Sequence, residues 1–109
     1  MEQEVLATPP GEYLDICERS LRKYITLHED NFDVDQAIKM LECNVICKNN
    51  LKNEIYGDMI CFLCASVCID CLDPQTANSM DEIDRKFERI HHYINATLQY
   101  HTENENAGK

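Results

Sequence analysis

The run Glu42–Asp73, ECNVICKNNLKNEIYGDMICFLCASVCIDCLD, holds six of the chain's seven cysteines. Its second half sets Cys61, Cys64, Cys68 and Cys71 at spacings of three, four and three. At about 100° per residue, four thiols so spaced fall within roughly 80° of one another on a helix. Cys43 and Cys47, four apart, share a face in the same way. The stretch therefore predicts two helices that turn thiols toward a common interior.

Reading outward, a helix over about 54–72 is apolar nearly all round, since only Ser66 and Asp70 are conventionally polar between Met59 and Leu72. Such a helix belongs at the centre of a fold or inside an oligomer. Asp73-Pro74 ends it. Upstream, a helix over about 34–48 starts after Asp33, a good N-cap. It carries two apolar faces: Val34, Ile38, Leu41 and Val45 on one, Met40, Cys43 and Cys47 on the other. The asparagines of Lys48–Asn53 suit a helix end and turn. A first helix over about 12–28 has one stripe, Leu14, Cys17, Leu21, Tyr24 and Ile25, and a polar turn, His28–Asp33, follows it. A last helix over about 80–101 begins with Ser79 as N-cap and Glu82 as its capping-box partner. Ile83, Phe87, Ile90, Ile94 and Leu98 form its heptad-like stripe. Residues 1–11, with Pro9, Pro10 and Gly11, read as a loose arm, and TENENAGK as a polar, frayed tail. Four amphipathic segments on short turns predict an all-α, up-down four-helix bundle over residues 12–102.

At 109 residues the chain is one domain. Acidic residues outnumber basic ones 20 to 10, a net charge of −10, which argues against nucleic acid or an anionic membrane as partner. Met1–Pro10 has no signal-peptide pattern, and the apolar run Met59–Cys71 is too short to span a bilayer. The expectation is a cytoplasmic protein with reduced thiols, and an odd cysteine count fits that better than a disulfide framework does.

Thiolates are soft ligands that suit Cu(I), zinc and iron–sulfur clusters. The candidate ligands are Cys43, Cys47, Cys61, Cys64, Cys68 and Cys71, paired along each helix as 43/47, 61/64 and 68/71. Cu(I) accepts two or three sulfurs with loose geometry. Zinc wants four in a tetrahedron, which Cys43 or Cys47 with Cys61 and Cys64 imitates only in part. Buried cysteine is also an ordinary small hydrophobe, the reading given to Cys17 and the competing reading for the rest. Redox CxxC pairs sit at helix N-termini, whereas Cys61 and Cys64 fall inside a helix. Met40 shares the Cys43/Cys47 face and Met59 does not face its helix's thiols. His28 and His101 end apolar stripes, and His91 and His92 lie off theirs. No catalytic constellation or phosphate-cradling glycine loop is present, so no enzyme is expected.

The fragments Glu42–Cys47 (ECNVIC) and Ile60–Cys71 (ICFLCASVCIDC) resemble the cysteine-rich DUF326 family, which includes the bacterial copper storage proteins. The resemblance covers about residues 36–72 closely and the other helices by length and order. It implies a four-helix bundle whose interior thiols bind Cu(I). The family carries cysteines on all four helices; here the first keeps Cys17 alone and the last has Ile83, Phe87, Ile90 and Ile94 instead. The resemblance thus implies copper at low stoichiometry. Two functions follow: a Cu(I)-binding, storage-like protein, or a helical interaction module, metal-free or with structural zinc. A homo-oligomer fits both.

Overall fold

The computed structural model describes residues 9–31, 33–72 and 80–107. They form four helices, α1 (Pro10–Leu27), α2 (Val34–Asn49), α3 (Gly57–Leu72) and α4 (Met80–Ala107), and no strand is found among the described residues. The all-α expectation holds. The expected capping box at Ser79 and the Asp73-Pro74 stop lie outside the described residues.

Each start has a local cause. Pro10 opens α1, where a missing N–H costs nothing, so the helix begins inside the expected arm. Asp33 caps α2: its Oδ1 accepts from the backbone N–H groups of Asp35 (3.0 Å) and Gln36 (3.2 Å). Asn53 does the same for the turn ahead of α3, its Oδ1 accepting from the N–H groups of Ile55 and Tyr56. The expected start at 54 is therefore a turn, and α3 proper begins at Gly57, where a Cβ would lie 2.7 Å from the Asn50 carbonyl oxygen. At the far end, α4 runs on to Ala107, six residues past its expected limit, because no breaker precedes Gly108.

The side-chain contacts place successive helices antiparallel. Tyr24, late in α1, donates from its hydroxyl to Gln36, early in α2 (3.0 Å), while Asn44, late in α2, donates to the Cys17 carbonyl in mid-α1 (3.2 Å). Between α2 and α3, the Cys61 thiol reaches the Cys47 carbonyl and the Cys68 thiol the Met40 carbonyl. Between α3 and α4, Lys86 meets Asp70 near one end and Asn53 meets Thr97 toward the other.

The ring of a regular bundle is not closed. α3 packs on all three other helices, as its all-round apolarity requires, and α1 packs on α2. Among the described residues α4 makes no backbone-level contact with α1 or α2. The core is thus a three-helix core of α1, α2 and α3, with α4 added to one side of α3 through Ile83 and Ile90, both buried, and the half-buried Phe87 and Ile94. Leu98, expected in that stripe, is 60% exposed.

The two apolar faces of α2 have opposite fates. Met40, Cys43 and Cys47 are fully buried, whereas Val34, Ile38, Leu41 and Val45 are each about half exposed. On α1, Cys17, Ser20 and Tyr24 are buried, Leu14 and Leu21 are half-buried, and Ile25 is exposed.

Candidate functional site

All seven cysteines are free thiols with no solvent exposure. Helix periodicity delivers this. Cys61, Cys64, Cys68 and Cys71 line the α3 face turned toward α1 and α2, Cys43 and Cys47 line the inner face of α2, and Cys17 sits at the middle of α1.

Sulfur meets sulfur across helices. Neighbouring thiols act on one another in turn, Cys61 with Cys47, Cys47 with Cys17, Cys17 with Cys68, Cys68 with Cys43, and Cys43 with Cys64. These five links thread six thiols into one file that passes from α3 through α2 and α1 and back. The pairs expected along a single helix, 43/47, 61/64 and 68/71, are not among these cross-helix links, though Cys71 acts on Cys68 through space. Thiols one turn apart stack along the helix, while thiols on facing helices point at each other.

Two residues change roles. Cys17, read as plain packing, is the link between Cys47 and Cys68 and so joins the two halves of the file. Cys71, expected as a ligand, lies outside these five links and acts on Cys68 through space. Its neighbours are the charged groups Lys39, Asp70 and Asp33. The one signal for Cys17 was its place on the buried stripe of α1, which fixes its direction but not what it meets.

The electrostatics follow from the order of the file. Cys68 is pulled below the ordinary thiol value because the flanking Cys17 and Cys43 thiols favour its ionised form, and burial only partly opposes this. Cys43 is pushed up by the neighbouring Cys64 and Cys68 thiols and by burial. Cys61 is pushed up by the neighbouring Cys47 thiol, then by burial. Cys47 rises to about 12, because the neighbouring Cys17 thiol, together with burial, outweighs the opposite effect of Cys61. In Cys17 the neighbouring Cys47 lowers the thiol, yet Cys68 and burial leave it raised. Cys71 rises to about 11 through burial, against the pull of Lys39.

Charge touches the file only at its edges. Asp58 acts on Cys61, and Lys39 and Asp70 act near Cys71. The interior of the file is sulfur and hydrocarbon, with buried Met40 on the same α2 face. Among the described residues no three His, Cys, Asp or Glu side chains close on a common point as a metal-holding group. The thiols meet two at a time, an arrangement that offers dithiolate ligation along a chain of shared sulfurs.

The remaining candidates stand outside. The His28 ring lies half-buried on Tyr24, with centroids 4.5 Å apart, at the α1 end. His101, His91 and His92 are exposed; the last two line an open groove of about 560 Å³ between α2 and α4, whose rim is tied by Lys39 and Asp84 at 2.5 Å. Met59 is 40% exposed. No described helix is long and apolar enough to cross a membrane. Comparison with family models, curated proteins and solved structures returned no match for this chain.

Proposed function

We propose that this chain binds Cu(I) as cargo through buried cysteine thiolates, holding a small number of ions in a buffering or storage-like role in a reducing compartment. The observation that carries the reading is the file of six thiols linked sulfur to sulfur across α1, α2 and α3. One buried cysteine is ordinary packing, but six in mutual contact place soft ligands side by side where water is excluded. Pairwise contacts suit an ion satisfied by two sulfurs better than zinc, which asks for four in a tetrahedron. The resemblance of ECNVIC and ICFLCASVCIDC to the DUF326 copper storage proteins points the same way.

Charge balance sets the form of binding. A Cu(I) held by two private thiolates displaces two protons and leaves one negative charge in the core. A Cu(I) entering a file of shared thiolates displaces one proton per ion and leaves the core neutral. Burying an uncompensated charge is costly, so the shared form is favoured.

An anaerobic Cu(I) titration of the reduced protein against a chromophoric competing chelator tests this. Several equivalents withheld from the competitor, with close to one proton released per ion, is the expected result. Complete loss of copper to the competitor overturns it. A second reading, a metal-free helical module that pairs with a copy of itself or a partner protein, is favoured by one observation, the exposed aliphatic face of α2.

A further inference from the structure

That outward face of α2 is ordered as a seam. Val34, Ile38, Leu41 and Val45 follow spacings of four, three and four, with exposures of 60, 46, 54 and 51%. These are the a and d positions of a heptad, with Ile38 and Val45 at a and Val34 and Leu41 at d. From first to last the seam spans three turns, about 16 Å. On its α1 side, Leu21, Ile25 and Ala37 join Val34, Ile38 and Leu41 to line an apolar groove of about 280 Å³. Scattered exposed aliphatics mean little, but a contiguous groove of six marks a surface built to be covered.

The charges along the margins say by what. Asp35 and Glu42 take the e positions of the heptad on the open edge of α2, and both are exposed. Glu18, Glu29 and Asp30 stand along α1 and the connecting loop, all exposed, against exposed Arg22 and Lys48. Lys48 occupies the next d position and ends the seam. Two copies joined face to face about a two-fold axis would bring the acidic edge of one against that of the other, in a chain already at −10. A helix with basic edges meets no such penalty and gains charge complementarity.

We propose that the α1/α2 groove docks an amphipathic helix of a partner protein, one whose apolar heptad seam is flanked by Lys or Arg. The groove lies on the side of α2 opposite the thiols, so the proposal stands whether or not the file carries metal.

The test uses the full chain and two labelled helical peptides with the same Ile/Leu seam, one with Lys and one with Glu at the flanking positions. Fluorescence anisotropy should show the Lys peptide binding at least about tenfold more tightly, with the difference shrinking as salt rises. Leu41→Asp, at an exposed position, should abolish binding while the helical circular dichroism is kept. Glu42→Lys should shift the preference toward the Glu peptide. Equal binding of the two peptides, or none, overturns the proposal. So does a dimer of the chain alone that Leu41→Asp dissociates, since a second copy would then be the occupant.

Discussion

The largest consequence at the scale of single residues falls on two cysteines that look alike in sequence. Cys17 takes part in two of the five sulfur–sulfur links, and Cys71 in none. Removing Cys17 leaves a pair, Cys61–Cys47, and a trio, Cys68–Cys43–Cys64. Cys17→Ala should therefore lower the Cu(I) equivalents withheld from a competitor, while Cys71→Ala should leave the number unchanged; equal losses would contradict the file. Gly57 gives a second residue-scale prediction. On propensity alone Gly→Ala in a helix gains up to about 1 kcal/mol. Here the added Cβ would sit 2.7 Å from a backbone oxygen, an atom that cannot swing aside, and 3.2 Å from the Asn53 Cβ. Overpacking of this kind costs about 1–3 kcal/mol, so Gly57→Ala should lower the urea midpoint rather than raise it. Neither result is legible in the sequence: helical spacing says which way a side chain points, and only the assembled helices say what stands opposite.

At the scale of elements, periodicity read the essentials of α3 and half of α2. A helix with two polar residues in fourteen has to be central, and α3 touches every other helix. For α2 the pattern offered two apolar faces, and hydrophobicity cannot rank thiols and a thioether against aliphatics. What decides is the neighbour, because the inner faces of α1 and α3 also present cysteine. For α4 the stripe of Ile83, Phe87, Ile90 and Ile94 was legible, and the ionic contact beside it was not. In that contact Lys86 Nζ lies 2.6 Å from Asp70 Oδ2 and 2.9 Å from Ser66 Oγ. Asp70, on α3, is 7% exposed. Lys86→Met would leave that carboxylate buried without its partner. Breaking a fully buried pair costs about 3–5 kcal/mol; since the Lys86 side chain is 24% exposed, about 2–3 kcal/mol is the expected loss. Lys86→Met with Asp70→Leu should recover most of it, and denaturation midpoints of the three variants check the coupling. Additive losses would mean the pair holds nothing.

Over the whole molecule, the open ring and the dry thiol core act together. Among the described residues α1 and α4 do not meet, Phe62 and Ile69 of α3 stand 49 and 43% exposed, and the extents are 56 × 34 × 22 Å. The core left to hold the fold is small and has sulfur at its centre, so its protonation should govern stability. Unfolded thiols ionise near 9.0. Five folded thiols, Cys17, Cys43, Cys47, Cys61 and Cys71, are raised above that value, two of them to about 12 and about 11. For a raised acid the unfolded state loses its proton first. Its contribution is complete below pH 9 and is lost as pH climbs toward the folded value, at up to about 1.4 kcal/mol per pH unit for each group. Cys68 has the opposite sign: depressed in the folded state, it contributes fully above pH 9 and loses that contribution as pH falls through its folded value. One group rising below pH 9 and five falling above it give a stability maximum close to pH 9 from the thiols, with the steeper slope on the alkaline side. Urea midpoints of the anaerobic, fully reduced protein from pH 7 to 11 should trace that asymmetry, and Cys68→Ala should remove the rise while keeping the fall. A midpoint flat between pH 9 and 11 would mean that the thiols are hydrated in solution, and a file open to water would have no dry interior in which to hold Cu(I).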